Sequence, residues 1–111
     1  MHDIRDMERL AGRKDAIEEV YAERRRQVDT EGWTPEHDDE HDTGEMAAAA
    51  AAYSFEAFTK TSQRYFAHEA IGFWPWSVSW WKPSTPRRDL IKAAALIIAE
   101  IERIDRAEAG S

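Results

Sequence analysis

Thr85-Pro86, followed by Leu90, Ala94, Ile97, Ile101 and Ile104, constrains this chain more than any other stretch. Threonine suits an N-cap, and proline suits the first helical position, where its missing N–H has no helical partner to lose. The apolar residues then fall on one stripe of a long helix, widened by Ile91 and Ile98. So wide an apolar surface implies burial against two or more neighbours, and the rest of the chain has to supply them. Asp89, Ala93, Leu96 and Glu100 line one flank of this helix, with Lys92 and Arg103 just beyond. Charged groups on the border between core and solvent mark a place for a cleft.

Two more helices are expected. Over Asp15 to Val28, the residues Ile17, Val20, Tyr21, Arg24 and Val28 recur at three- and four-residue steps, and Gly32 stops the run. Asp42-Thr43-Gly44-Glu45 has capping-box spacing before Met46 and the six alanines Ala47 to Ala52, with Tyr53, Ala57 and Phe58 extending the face to about Tyr65. Alanine is the best helix former, and its small side chain lets a neighbouring helix approach closely. Shorter pieces are expected at Asp3 to Leu10, with Ile4, Met7 and Leu10 inward, and at Glu36 to His41 behind Thr34-Pro35. Phe73 to Pro86, with three prolines and four tryptophans, reads as an ordered loop or a short strand.

The expected fold is therefore all-α: a small bundle of three main helices with short accessory turns and a Trp- and Pro-rich loop, open to completion by dimerisation. The 111 residues fit one domain, taken as 15–108, with 1–14 as an extension or short helix and 109–111 as a tail. No run of about 18 apolar residues is present, and Met1-His2-Asp3-Ile4-Arg5-Asp6 lacks the plan of a signal peptide, so the expected location is the cytoplasm, away from membranes. The absence of cysteine removes disulfides, thiolate metal sites and cysteine nucleophiles, which favours Mg²⁺ or Mn²⁺ over a structural zinc.

Between Glu31 and Glu45 stand seven carboxylates, Glu31, Glu36, Asp38, Asp39, Glu40, Asp42 and Glu45, with His37 and His41 and no lysine or arginine; they equal the whole net charge of −7. Such a cluster is either a solvated, capping loop or a site for cation or phosphate chemistry. The four-residue spacing of His37 and His41 suits a shared metal, although most such pairs are simply exposed. Asp89 and Glu100 are open to two readings, as metal ligands or as salt-bridge partners of Arg87, Lys92 or Arg103, and Glu19 and Glu23 are similarly ambiguous. An acidic chain has little grip on nucleic acid, and no sequence-specific nucleic-acid contact is expected, but Arg24-Arg25-Arg26 and Arg87-Arg88 can each hold a phosphate. Tryptophans beside Arg87 and Arg88 can stack a nucleobase, plug the end of the bundle or form a dimer contact. Ser77, Ser79 and Ser84 lack the context of a nucleophile, and no phosphate loop or dinucleotide fingerprint is present.

The segments Glu23-Arg24-Arg25-Arg26-Gln27, Glu31 to His41, Gly44-Glu45-Met46-Ala47, Trp74-Pro75-Trp76, Trp81-Lys82-Pro83, Arg87 to Ile97 and Ala99 to Arg106 together resemble small phage and prophage proteins classed with the dATP/dGTP diphosphohydrolase N-terminal domain, near the MazG-like nucleotide pyrophosphohydrolases. The resemblance implies a helical domain that binds a purine deoxynucleoside triphosphate with Mg²⁺ or Mn²⁺, water attacking between the α- and β-phosphates. It implies Glu23, Asp38, Glu45 and Asp89 as metal ligands and Glu100 as a catalytic base or supporting carboxylate beside Glu45 and Asp89. Arg88 and Lys92 are then phosphate contacts, and Trp76 and Trp81 flank the base. The paired pattern Glu-x-x-Glu and Glu-x-x-Asp of the wider group is half missing, since Ala48 follows Glu45 and Pro86 precedes Asp89 at those spacings. Either carboxylates of the 31–42 loop stand in, or the chain binds a nucleotide without cleaving it. The runner-up is thus a non-catalytic phage counter-defence protein that sequesters a nucleotide signal or blocks a host defence protein, as a homo-oligomer. A scaffolding bundle without ligand is the third reading.

Overall fold

The computed structural model describes residues 15–64 and 69–110, and every regular element within them is helical. Helix α1 spans Ala16–Asp29, α2 Pro35–Asp39, α3 Glu45–Ser62, α4 Glu69–Gly72 and α5 Pro86–Ala109, with a single 3-10 turn at Val78–Trp80. This is the expected all-α bundle. Helix α5 is its spine, packed on α3 most extensively and also on α1 and α2. The helix expected over Asp3 to Leu10 lies outside the described residues. No helix among the described residues is long and apolar enough to cross a membrane.

The caps follow the sequence in two of three cases. Thr85 accepts from the Arg88 amide at 3.1 Å with Pro86 in the first turn, and Thr34 accepts from the His37 amide at 3.2 Å with Pro35 behind it. The third differs. The N-cap of α3 is Gly44, in the left-handed region at φ 90°, and not Asp42. The Glu45 carboxylate does reach back, to the Thr43 amide at 2.8 Å and the Thr43 hydroxyl at 2.5 Å. With φ positive at residue 44, glycine is the residue that avoids a Cβ clash there. Helix α3 ends at Ser62, short of the expected Tyr65, where Gln63 turns left-handed at φ 58°.

The core corrects the expected faces. Helix α3 buries Ala49, Ala50, Ala52, Tyr53 and Ala57, and α5 answers with Ile91, Ala93, Ala95, Leu96 and Ala99. Small side chains on both helices bring their axes close. The Leu90–Ile104 stripe faces outward instead, with Leu90 52% exposed, Ile97 47% and Ile101 52%. Helix α1 likewise exposes Ile17 and Tyr21 and buries Glu23, Arg24 and Gln27, because it docks through ion pairs rather than through its apolar residues.

In the tryptophan segment the structure holds a loop with one 3-10 turn and no strand. Trp74 is buried with its indole N–H donating to the Ser77 carbonyl at 2.9 Å. Its ring meets Tyr53, Trp76 and Trp81 at centroid distances of 5.5, 5.3 and 5.1 Å, so the loop seals one end of the bundle.

Candidate ligand cleft

Where α1, α5 and the tryptophan loop converge they leave a cleft of about 350 Å³. Its walls carry four cationic side chains, Arg26, Lys82, Arg88 and Lys92, and three aromatic rings, Trp33, Tyr53 and Trp80. Glu23, Glu31, Gln27 and Ser84 complete the polar lining. Four cations against two carboxylates make this a locally positive hollow in a chain of net charge −7.

Glu23 organises one wall. Its side chain is fully buried and accepts from Arg26 Nε at 2.9 Å and Nη2 at 2.8 Å, from Gln27 Nε2 at 3.4 Å, and from the Arg88 guanidinium. Burial pushes the Glu23 carboxyl up, but hydrogen bonds and charge from Arg26 and Arg88 outweigh it and leave the pKa lowered. A buried carboxylate between two guanidiniums thus fixes two donor forks at the rim of the cleft. Arg26 also donates to Glu31 at 2.8 Å.

The opposite wall is lysine on aromatic. Lys92 Nζ sits 5.4 Å from the Tyr53 centroid and donates to the Lys82 carbonyl at 2.7 Å; Lys82 Nζ sits 5.8 Å from the Trp80 centroid. Neither ammonium has a carboxylate within 4.0 Å among the described residues. Burial, reinforced by the Arg88 charge, lowers the Lys92 pKa. Burial also raises the Tyr53 pKa, keeping the phenol neutral while its oxygen accepts from the Lys82 amide at 3.4 Å. Gln27, 1% exposed, turns its amide donor to Glu23, and its Oε1 has no hydrogen-bond partner among the described residues.

The expected site residues divide accordingly. Arg88, Lys92 and Glu23 come together in the cleft. Asp89, Asp38, Glu45 and Glu100 do not line it. Fully buried Asp89 accepts from the Ser84 amide at 2.7 Å and from Lys60 at 3.2 Å, pinning the loop ahead of α5 to the end of α3. Asp38, also buried, takes Arg24 at 2.5 Å. Glu45, in the first turn of α3, accepts from the Thr43 amide and hydroxyl; those hydrogen bonds and its own amide hold its carboxyl down at about 2. Glu100 pairs with Arg103 at 2.6 Å, as the salt-bridge reading expected. The metal ligands implied by the resemblance are therefore separately engaged, and among the described residues no three His, Asp or Glu side chains gather in a way that could hold a metal ion.

The tryptophans are redistributed. Trp81, half-buried, packs against the core on Tyr53 at 4.7 Å, and Trp76, also packed against the core, lines a neighbouring cleft. Trp33 and Trp80 are the indoles that line the cationic cleft. Arg26, Trp33, Tyr53, Trp80 and Lys82 were not singled out individually by the sequence, although the Arg24–Arg26 run and the tryptophan loop both pointed to this region. The chain matches no protein-family model, and no curated protein or solved structure is significantly similar to it.

Proposed function

We propose that this protein binds a nucleotide, or a nucleotide-derived signal, in the cationic cleft and holds it intact. The observation that carries the reading is the lining itself: four cations and three aromatic rings around one 350 Å³ hollow on an acidic protein. Guanidiniums presented in pairs suit phosphate oxygens, ammonium groups add charge without a carboxylate competitor, and indole faces suit a base.

A Mg²⁺ or Mn²⁺ ion held by the protein does not fit this cleft, since Glu23 and Glu31 both accept from Arg26. This favours the counter-defence reading, sequestration of a nucleotide signal in a host cytoplasm, over pyrophosphohydrolysis. The outward Leu90, Ile97, Ile101 and Ile104 support the accompanying expectation of a homo-oligomer, because a second copy would cover them.

Incubation with dATP, dGTP and a panel of cyclic nucleotides, with and without Mg²⁺ or Mn²⁺, tests the reading by calorimetry, thermal shift and chromatography of the ligand. Saturable binding with the nucleotide recovered intact is the expected result. Metal-dependent release of pyrophosphate would replace the binder with a hydrolase, and no response at millimolar ligand would end the nucleotide reading.

A further inference from the structure

Next to the cationic cleft lies a second one, of about 420 Å³, on which His37, His41, Trp76 and Ser77 open and which shares Glu31, Trp33 and Trp80 with the first. We propose that His37 and His41 form a two-imidazole site for a transition-metal cation of the Zn²⁺, Co²⁺ or Ni²⁺ type, its remaining coordination positions open to this cleft.

The hydrogen-bond bookkeeping of the two rings leads there. His37 Nδ1 lies 3.2 Å from Asp38 Oδ1, and His41 Nδ1 lies 3.2 Å from Glu45 Oε2. Carboxylates only accept, so in a neutral ring each Nδ1 carries the proton and each Nε2 is left with its lone pair. Those two Nε2 atoms stand 3.3 Å apart. Two lone pairs at that distance repel unless a cation lies between them. With metal–nitrogen bonds of about 2.0–2.1 Å and a tetrahedral angle, two ligating nitrogens lie about 3.3–3.4 Å apart, the separation found here. The ring centroids are 4.6 Å apart at an interplanar angle of 62°, so the nitrogens meet at an angle rather than head on.

The support behind each ring is built from both sides. Asp38 gives its other oxygen to Arg24 at 2.5 Å, and Glu45 gives its other oxygen to Thr43. Each carboxylate is anchored before it touches its imidazole, an arrangement that fixes the ring tautomer and raises ligand basicity. Trp33 stacks on His37 at 6.4 Å and 10°, and Trp76 meets His41 edge-on at 5.3 Å, which restricts ring rotation. Imidazoles select borderline cations over Mg²⁺, so this site differs in kind from the all-carboxylate one that the resemblance implied.

Titration of the full chain with ZnCl₂ by calorimetry, with Co²⁺ as an absorbing probe, tests the site without any nucleotide. One ion per chain is expected, with His37→Gln and His41→Gln each weakening it at least tenfold and Glu45→Gln weakening it about tenfold through loss of ring orientation. Circular dichroism establishes that the variants fold; both imidazoles are partly exposed, so glutamine is accommodated. No binding by the folded wild type at millimolar metal, binding undiminished in both histidine variants, or imidazole nitrogen resonances that show one shared proton and ignore Zn²⁺ would each overturn the proposal. Nucleotide binding is read separately, so either result stands without the other.

Discussion

The buried carboxylate of Glu23 on α1 accepts from the guanidinium of Arg88 in the first turn of α5, 65 residues further along the chain. This one pair ties two helices together and at the same time orients a cation toward the cleft. Glu23→Ala should lower stability by about 1–3 kcal/mol rather than the 3–5 of a fully enclosed pair, because both arginine side chains are 37% exposed and can turn to water. The midpoint of a urea unfolding curve reads this directly. An unchanged midpoint would mean that the pair contributes nothing to docking.

The same carboxylate makes stability depend on acid. Its folded pKa lies below the usual 4.5, so its contribution is whole above about pH 4.5 and declines as the pH falls toward the lower folded value. Wild-type stability should therefore fall more than that of Glu23→Gln as the pH drops below about 4.5, measured as denaturation midpoint against pH. Parallel curves for the two proteins would contradict the assignment.

Lys92 is held below its ordinary pKa by burial and by Arg88. A phosphate in the cleft would favour its charged form, so affinity should weaken as the pH rises through the lowered Lys92 value, before an ordinary lysine would lose its proton. Lys92→Met should cost about tenfold in nucleotide affinity, the worth of one charge-assisted hydrogen bond, and should flatten that pH dependence. Calorimetry at pH 7 and pH 9.5 on both proteins separates the two effects.

Trp80 and Trp81 are neighbours with opposite duties. Trp80 is 46% exposed on the cleft, whereas Trp81 packs on Tyr53 and Trp74. Trp80→Ala should remove about 1–3 kcal/mol of ligand binding and little stability. Trp81→Ala should remove about 2–4 kcal/mol of stability, below the largest core truncations because its ring is only half-buried. Equal effects of both substitutions on unfolding would refute this division.

Helix existence was legible because Thr85-Pro86, Thr34-Pro35 and the alanine run act locally, within one turn of the residues that carry them. Which face turns inward was not legible from the large apolar residues. Ile97 and Ile101 mark the period of α5, but Ala93, Ala95 and Ala99 decide the packing, since only small side chains allow α5 to approach Ala49, Ala50 and Ala52 closely. The cleft was half visible for a similar reason. Lys92 stood out as a charge on the border of an apolar helix and Arg88 as half of a basic pair, whereas Trp33 and Lys82 join them through loop geometry that no periodic pattern encodes. Carboxylates expected to converge on an ion instead found nearby partners: Asp89 the Ser84 amide and Lys60, Asp38 the Arg24 guanidinium.

The outward stripe of α5 leads to the last prediction. Leu90, Ala94, Ile97, Ile101 and Ile104 recur in alternating steps of four and three, the spacing of a seam that another helix fills. Ile97→Asp places a carboxylate at the middle of that seam, at a position already 47% exposed, so the single chain should keep its helical content and its melting behaviour at low concentration. Sedimentation should then show a concentration-dependent dimer for the wild type and a monomer for Ile97→Asp. A wild type that sediments as a monomer at high micromolar concentration would leave the stripe without a second copy to cover it.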